Sequence, residues 1–163
     1  MAGPRPTRSD LVAFAVDGSR YAVPLSSVDR VLPMVAVQRV PGAPGVVMGA
    51  INLEGRVVPV VDLRRRLDLP SRDYGLDAHL LIVQTSRRTL AIAADETSGV
   101  VGVDPGSVTP TEVVLPRVRR VAGIAALPDG LLFIHDIEAF LTRDEEREQI
   151  SEAIRSAAAR RNG

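Results

Sequence analysis

The stretch from Val47 to Leu67 returns, without a gap, 74 residues later between Val121 and Leu141. The first copy reads V-M-G-A-I-N-L-E-G-R-V-V-P-V-V-D-L-R-R-R-L and the second V-A-G-I-A-A-L-P-D-G-L-L-F-I-H-D-I-E-A-F-L. In this register Gly49 matches Gly123, Leu53 matches Leu127, Asp62 matches Asp136 and Leu67 matches Leu141, with apolar residues facing apolar ones at most positions between. Upstream, L-V-A-F-A (11–15) and Y-A-V-P-L (21–25) resemble L-L-I-V-Q (80–84) and L-A-I-A-A (90–94) at an offset of 69. Recurrence of this kind means a duplicated piece of structure. Each half holds an apolar run, a polar turn, a second apolar run, a connection and then a strand–turn–strand block. The expected fold is all-β, a small antiparallel domain made twice.

A chain of 163 residues can bury one sizeable core or two small ones that lean on each other. With 45% hydrophobic and 25% charged residues it is not globally disordered, and no apolar run approaches the roughly 20 residues needed to cross a bilayer. The N-terminal segment M-A-G-P-R-P-T-R-S-D has no apolar stretch of the signal-peptide kind, and cysteine is absent, so the cytoplasm is the expected location. A net charge of zero gives no overall field toward nucleic acid or anionic membrane.

All twenty basic residues are arginine. Without lysine there is no P-loop lysine, Schiff base or S-x-x-K pair, and without cysteine no thiol nucleophile or thiolate metal site. The histidines His79 and His135 stand alone rather than at metal-ligand spacing, and no G-x-S-x-G or G-x-G-x-x-G occurs. No catalytic residue, metal or cofactor is therefore expected. The arginine clusters at 64–66, 87–88 and 117–120 are expected to be solvated faces or salt-bridging rims. Five aromatic residues are too few for the stacking platforms of a single-strand binder.

Alternation predicts strands over Val12–Val16 and Arg20–Pro24, joined by the tight-turn dipeptide Asp17-Gly18. It predicts a second pair over Val46–Leu53 and Arg56–Val61 across Glu54-Gly55. The run Ser26–Leu32 suits either a short helical turn or a strand, and Pro33 ends it. Pro59 cannot donate to a ladder, which predicts a free edge or a bulge at that point. Leu63–Leu69 fits one helical turn stopped by Pro70, and the polar residues 71–78 connect the halves. Strands follow at His79–Thr85, Arg88–Ala94, Gly99–Val103, Val118–Leu127 and Leu131–His135, with turns at Ser86-Arg87 and Asp129-Gly130. Thr142 with Glu145 forms a capping box that predicts a helix from about Arg143 to Ala159, so that 142–163 is a C-terminal helix and tail. Asp62 and Asp136 recur at one strand-to-turn position, which suits structural caps better than a pair of catalytic carboxylates.

The block Gly49–Arg64, G-A-I-N-L-E-G-R-V-V-P-V-V-D-L-R, resembles the signature of the CheW-like family of bacterial chemosensory adaptors. Gly49, Asn52, Leu53, Gly55, Pro59, Asp62, Leu63 and Arg64 match it, and the likeness spans residues 11–141. The resemblance implies two pseudo-symmetric five-stranded barrels, about 11–70 and 79–141, with exchange of strands between them allowed and a flexible 1–10 segment in front. It implies a non-enzymatic adaptor without cofactor or metal that couples the cytoplasmic tips of methyl-accepting chemoreceptors to the regulatory domain of the histidine kinase CheA. An alternative is a scaffold in a diverged complex without classical receptors. By the same resemblance Val28, Asp29, Arg30 and Val31 are receptor-groove contacts, and Asn52, Leu53, Glu54 and Gly55 form a docking turn. Gly49, Pro59, Asp62, Gly123 and Asp136 are structural. The chain departs from the family at Glu54, where the N-L-R-G turn carries arginine.

Overall fold

The computed structural model describes residues 9–111, 121–141 and 155. Their strands are β1 (Ser9–Val16), β2 (Ser19–Pro24), β3 (Val28–Pro33), β4 (Val47–Leu53), β5 (Arg56–Asp62), β6 (His79–Gln84), β7 (Thr89–Ala94), β8 (Glu96–Val103), β9 (Val108–Pro110), β10 (Val121–Leu127) and β11 (Gly130–His135). One α-helical turn, α1 (Leu63–Arg66), follows β5. The run whose state the sequence left open becomes a 3-10 turn, Leu25–Ser27, followed by β3. The predicted C-terminal helix and its Thr142–Glu145 capping box lie outside the described residues, apart from the helical Arg155.

The strands form a six-stranded sheet, in the order β8-β1-β2-β11-β10-β9, and a five-stranded sheet, in the order β3-β6-β7-β5-β4. The halves trade hairpins. β1–β2 from the first half joins the second half's strands through parallel β2–β11 pairing, and β6–β7 joins the first half's strands through parallel β7–β5 pairing. Both sheets are open, which corrects the expectation of two closed five-stranded barrels. In the smaller sheet a single bridge, Gln38–Ala50, ties β4 to the chain leaving β3. In the larger sheet β8 and β9 occupy opposite edges.

The exchange explains why the apolar runs do not alternate. The exchanged hairpins are buried on both faces, the condition that produces continuous hydrophobic strands. Val12, Phe14 and Val16 of β1 and Leu81 and Val83 of β6 meet in one cluster between the sheets, with Phe140 and Leu141. The alternate residues turn inward to each sheet's own concave side. Leu80 and Ile82 join Ile51, Leu53, Val58 and Val60 in one, and Leu11 and Ala13 join Ala22, Ala125 and Leu132 in the other.

The repeat is exact enough to show what proline does. Pro59 corresponds to Phe133, 74 residues on. Phe133 pairs with Tyr21 in a parallel ladder covering Leu132–Ile134, whereas the ladder of β5 is displaced past the proline, starting at Val60 and running to Asp62. Ala50, opposite Pro59, sends its amide and carbonyl outward to Gln38. By the alternation of antiparallel pairs, the missing Pro59 N–H therefore falls toward β7, at the point where pairing has not begun. β5 is thus interior and regular at Pro59 rather than edged or bulged. The bulges fall instead in β4 between Val47 and Gly49 and in β10 between Val121 and Gly123. The last hairpin loop is Pro128-Asp129, one residue earlier than expected, since Leu127 pairs with Gly130.

Candidate functional site

β3 is an edge strand paired only with β6, so one row of its backbone groups is unpaired within the sheet. Its side chains alternate between half-buried and exposed. Val28 packs against the cluster between the sheets, while Val31 is 38% exposed. Sequence reasoning placed both valines in one contact set, but the strand puts Val31 on the surface and turns Val28 toward the core.

The β4–β5 loop is a two-residue turn in which Glu54 (φ 52°) and Gly55 (φ 88°) are both left-handed, as a type I′ hairpin requires. Asn52 Oδ1 accepts from the Gly55 amide at 2.8 Å and fixes the turn, and Leu53 is buried beneath it. The Glu54 carboxylate is not free. Arg30 Nη1 donates to Glu54 Oε1 at 2.9 Å, and Arg30 Nε donates to Asp29 Oδ2 at 3.2 Å. The two residue sets that the resemblance named, 28–31 and 52–55, thus meet through one guanidinium. β3 and β4 are opposite edges of the five-stranded sheet, and this ion pair spans its rim.

Beneath the rim the structural residues do local work. Asp62 Oδ1 accepts from the Arg64 amide at 3.0 Å, and Asp136 Oδ1 accepts from the Glu138 amide at 3.0 Å, the same cap made twice. A Cβ on Gly49 would run into the carbonyl oxygen of Gln38, and one on Gly123 would lie 2.6 Å from Val108 Cγ1. The glycines therefore admit the crossing chain at both bulges.

Arg64 and Arg66 are buried, which corrects the expectation of a solvated face at 64–66, whereas the salt-bridging alternative fits Arg64 with Asp95 and Arg65 with Asp62. Arg64 donates through Nη2 to Asp95 Oδ1, and its guanidinium carbon lies 4.3 Å from the centre of the Tyr74 ring. The Tyr74 hydroxyl donates to Asp62 Oδ1 at 2.8 Å. Burial, and then this bond to Asp62, hold the Tyr74 phenol well above its ordinary range. Asp95 also accepts from the Asp17 amide at 2.8 Å, so Arg64 of the smaller sheet reaches the β1–β2 turn of the larger one.

A matching contact closes the other side. Glu138 accepts from the Ser86 amide and hydroxyl, each at 2.7 Å. Ser86 is the repeat equivalent of Asp17, and Glu138 that of Arg64. Sequence reasoning missed both clasps. The available signal was that a charged residue recurs two positions after each capping aspartate, with opposite sign.

A recess of about 720 Å³ lies beside the crossing from β2 to β3, lined by Leu11, Pro24, Leu25, Val103, Val108 and Ile134. His135 is buried between Tyr21 and Phe140, with ring centres 5.1 and 5.3 Å away, and the adjacent Asp136 is exposed. Among the described residues no three His, Asp or Glu side chains converge as a metal site, and no helix is long and apolar enough to cross a membrane.

Two like β subdomains packed across an apolar interface, with an exposed edge and turn at the rim, define a β scaffold domain. The CheW-like domain family matches residues 10–145, and the chain belongs to that family of chemotaxis signal-transduction adaptors and scaffolds. It is 27% identical to the chemotaxis protein CheW of Bacillus subtilis, over 88% of this chain and 94% of that one. It is 25% identical to a probable chemotaxis protein CheW of Rhizobium etli, over 83% and 89%. The crystal structure of the scaffolding protein TtCheW from Thermoanaerobacter tengcongensis shares the fold, with a TM-score of 0.77 at 24% identity over 87% of this chain and 99% of that one.

Proposed function

We propose that this chain is a non-enzymatic cytoplasmic adaptor that couples the tips of methyl-accepting chemoreceptors to the regulatory domain of the histidine kinase CheA. The observation that carries the reading is the continuous rim formed by Val31, Arg30 and the Asn52–Gly55 turn, exposed on an edge strand of a CheW-like fold. On this reading Val31 is an apolar anchor for a receptor hairpin, with Val28 behind it, and Asp29, Arg30 and Glu54 are rim charges that set register. A further support is likeness to the kinase itself. The chain is 28% identical to chemotaxis protein CheA of Halobacterium salinarum over 113 residues, 69% of this chain and 16% of that one.

Titration of the full chain with a CheA regulatory domain and with a receptor-tip fragment from the same cell tests the proposal. Saturable binding to both is expected, and Val31→Asp should abolish the receptor interaction while leaving the fold intact. Binding to neither partner would sink the proposal. Glu54, where the family motif has arginine, favours a second reading, a scaffold of a diverged signalling complex without classical receptors. Binding to CheA with none to any receptor tip of the cell would select it.

A further inference from the structure

The repeat separates residues the fold needs from residues it does not. Gly49 and Gly123, and Asp62 and Asp136, occur in both halves and perform the same structural task in each. Arg30 and Glu54 do not recur. At the repeat offsets of 69 and 74 their equivalents are Gly99 and Pro128, which carry no charge. The strand registers make the same equivalence, since Arg30 lies opposite Ile82 and Gly99 opposite Ala13, with a bulge beside each. In the second sheet the turn is paired differently, through Asp129 to Arg20 on the interior strand β2 at 2.8 Å, so the architecture does not require an ion pair from the edge strand to the turn.

Stability does not explain the pair either. The Arg30 side chain is 38% exposed and that of Glu54 69% exposed. Exposed pairs of this kind contribute little to folding, whereas rim charges govern which partner is accepted and how fast it docks. The pair also has a fixed sense, with the positive group on β3 and the negative group on the β4–β5 turn. An arginine at the turn, as in the family motif, would face Arg30 as a like charge. Arginine at position 54 would thus replace an attraction at the rim by a repulsion, and the two positions act as one element.

We infer that Arg30 and Glu54 form a selectivity element of reversed polarity, which accepts a partner surface presenting an acidic group to Arg30 and a basic group to Glu54. The element also rejects partners matched to an arginine turn, because the acidic group they present there then meets Glu54. This inference rests on the adaptor reading above and names the chemistry of the partner face.

The test uses the full chain as native protein, Arg30→Glu, Glu54→Arg and the double variant R30E/E54R. Each is titrated against the receptor-tip fragment and the CheA regulatory domain of the same cell, and against their counterparts from a cell whose CheW-like adaptor carries arginine in this turn. Thermal melting verifies that each variant is folded. Each single variant should lose roughly tenfold or more in affinity for its own partner. The double variant should keep that loss and gain a comparable factor for the foreign partner. Unchanged preference in a folded double variant overturns the inference and leaves the adaptor reading standing. Failure of the native chain to bind any of these partners removes both.

Discussion

Glu138 holds the tip of the opposite sheet's hairpin, accepting from both the amide and the hydroxyl of Ser86 at 2.7 Å. The contact ties the segment after β11 to the β6–β7 turn and so spans the two sheets. Its repeat counterpart runs from Arg64 through Asp95 to the Asp17 amide. One clasp is exposed and neutral-to-charged, and the other rests on a buried guanidinium. They should differ in what they contribute.

Glu138→Ala removes two hydrogen bonds at an exposed site. The expected loss is about 1 kcal/mol, since the Ser86 groups released can bond to water. Chemical denaturation should show a lowered midpoint with an unchanged slope, and Ser86→Ala should show a smaller loss than Glu138→Ala.

Asp95→Ala leaves the Arg64 guanidinium, 1% exposed, without its carboxylate. Breaking a buried pair in this way costs up to about 3–5 kcal/mol, and with Asp95 31% exposed the low end of that range is expected, still more than the loss at Glu138. Asp95→Asn should be milder, because the amide still accepts from Arg64. Equal losses in Asp95→Ala and Glu138→Ala would show that the two clasps are energetically alike.

Gly49→Ala and Gly123→Ala probe equivalent bulges with unequal neighbours. At Gly49 the new methyl meets backbone, the Gln38 carbonyl, at a positive φ of 155°. At Gly123 it meets the Val108 side chain, which can shift. Gly49→Ala should be the more destabilising by at least about 1 kcal/mol, since neither its backbone angle nor its neighbour can adapt cheaply. Thermal melts of the two variants measure this directly.

Tyr21 and Tyr74 both ionise above the ordinary phenol value of 10.0, Tyr21 chiefly through burial and Tyr74 through burial and then its bond to Asp62. A raised folded-state value means that the proton is held more tightly in the folded chain. The stabilisation is therefore complete below about pH 10 and falls as pH rises through the folded-state values. Ultraviolet titration should show no phenolate in the native protein until the pH is well above 10. Tyr74→Phe should reduce the alkaline loss of stability.

The positions of the strands were legible because the duplicated pattern supplied two independent views of each. Gly49, Gly123, Asp62 and Asp136 stood out for the same reason. The exchange of hairpins was left open, and the physical cause is plain. The two halves carry equivalent strands, so a hairpin satisfies the same registers and the same apolar positions in either half, and no local pattern tells the alternatives apart. Arg64 was misjudged because it sits among two other arginines, and its burial is decided by Asp95 and Tyr74, distant in sequence. β9 was missed because three residues between turns carry too little periodicity. The partner of Glu54 was equally hidden, since Arg30 reaches it only once the sheet curls.

The traded hairpins carry a last consequence. Two separate chains, each with one repeat and each lending its hairpin to the other, would build this same pair of sheets with the same registers. The fold is therefore that of a hairpin-swapped pair of repeats carried on one chain. Residues 71–78, by joining the copies, turn an association governed by concentration into an intramolecular event. They also free each copy to diverge, so that one turn is paired to its sheet's edge strand through Arg30 and Glu54 and the other to an interior strand through Arg20 and Asp129.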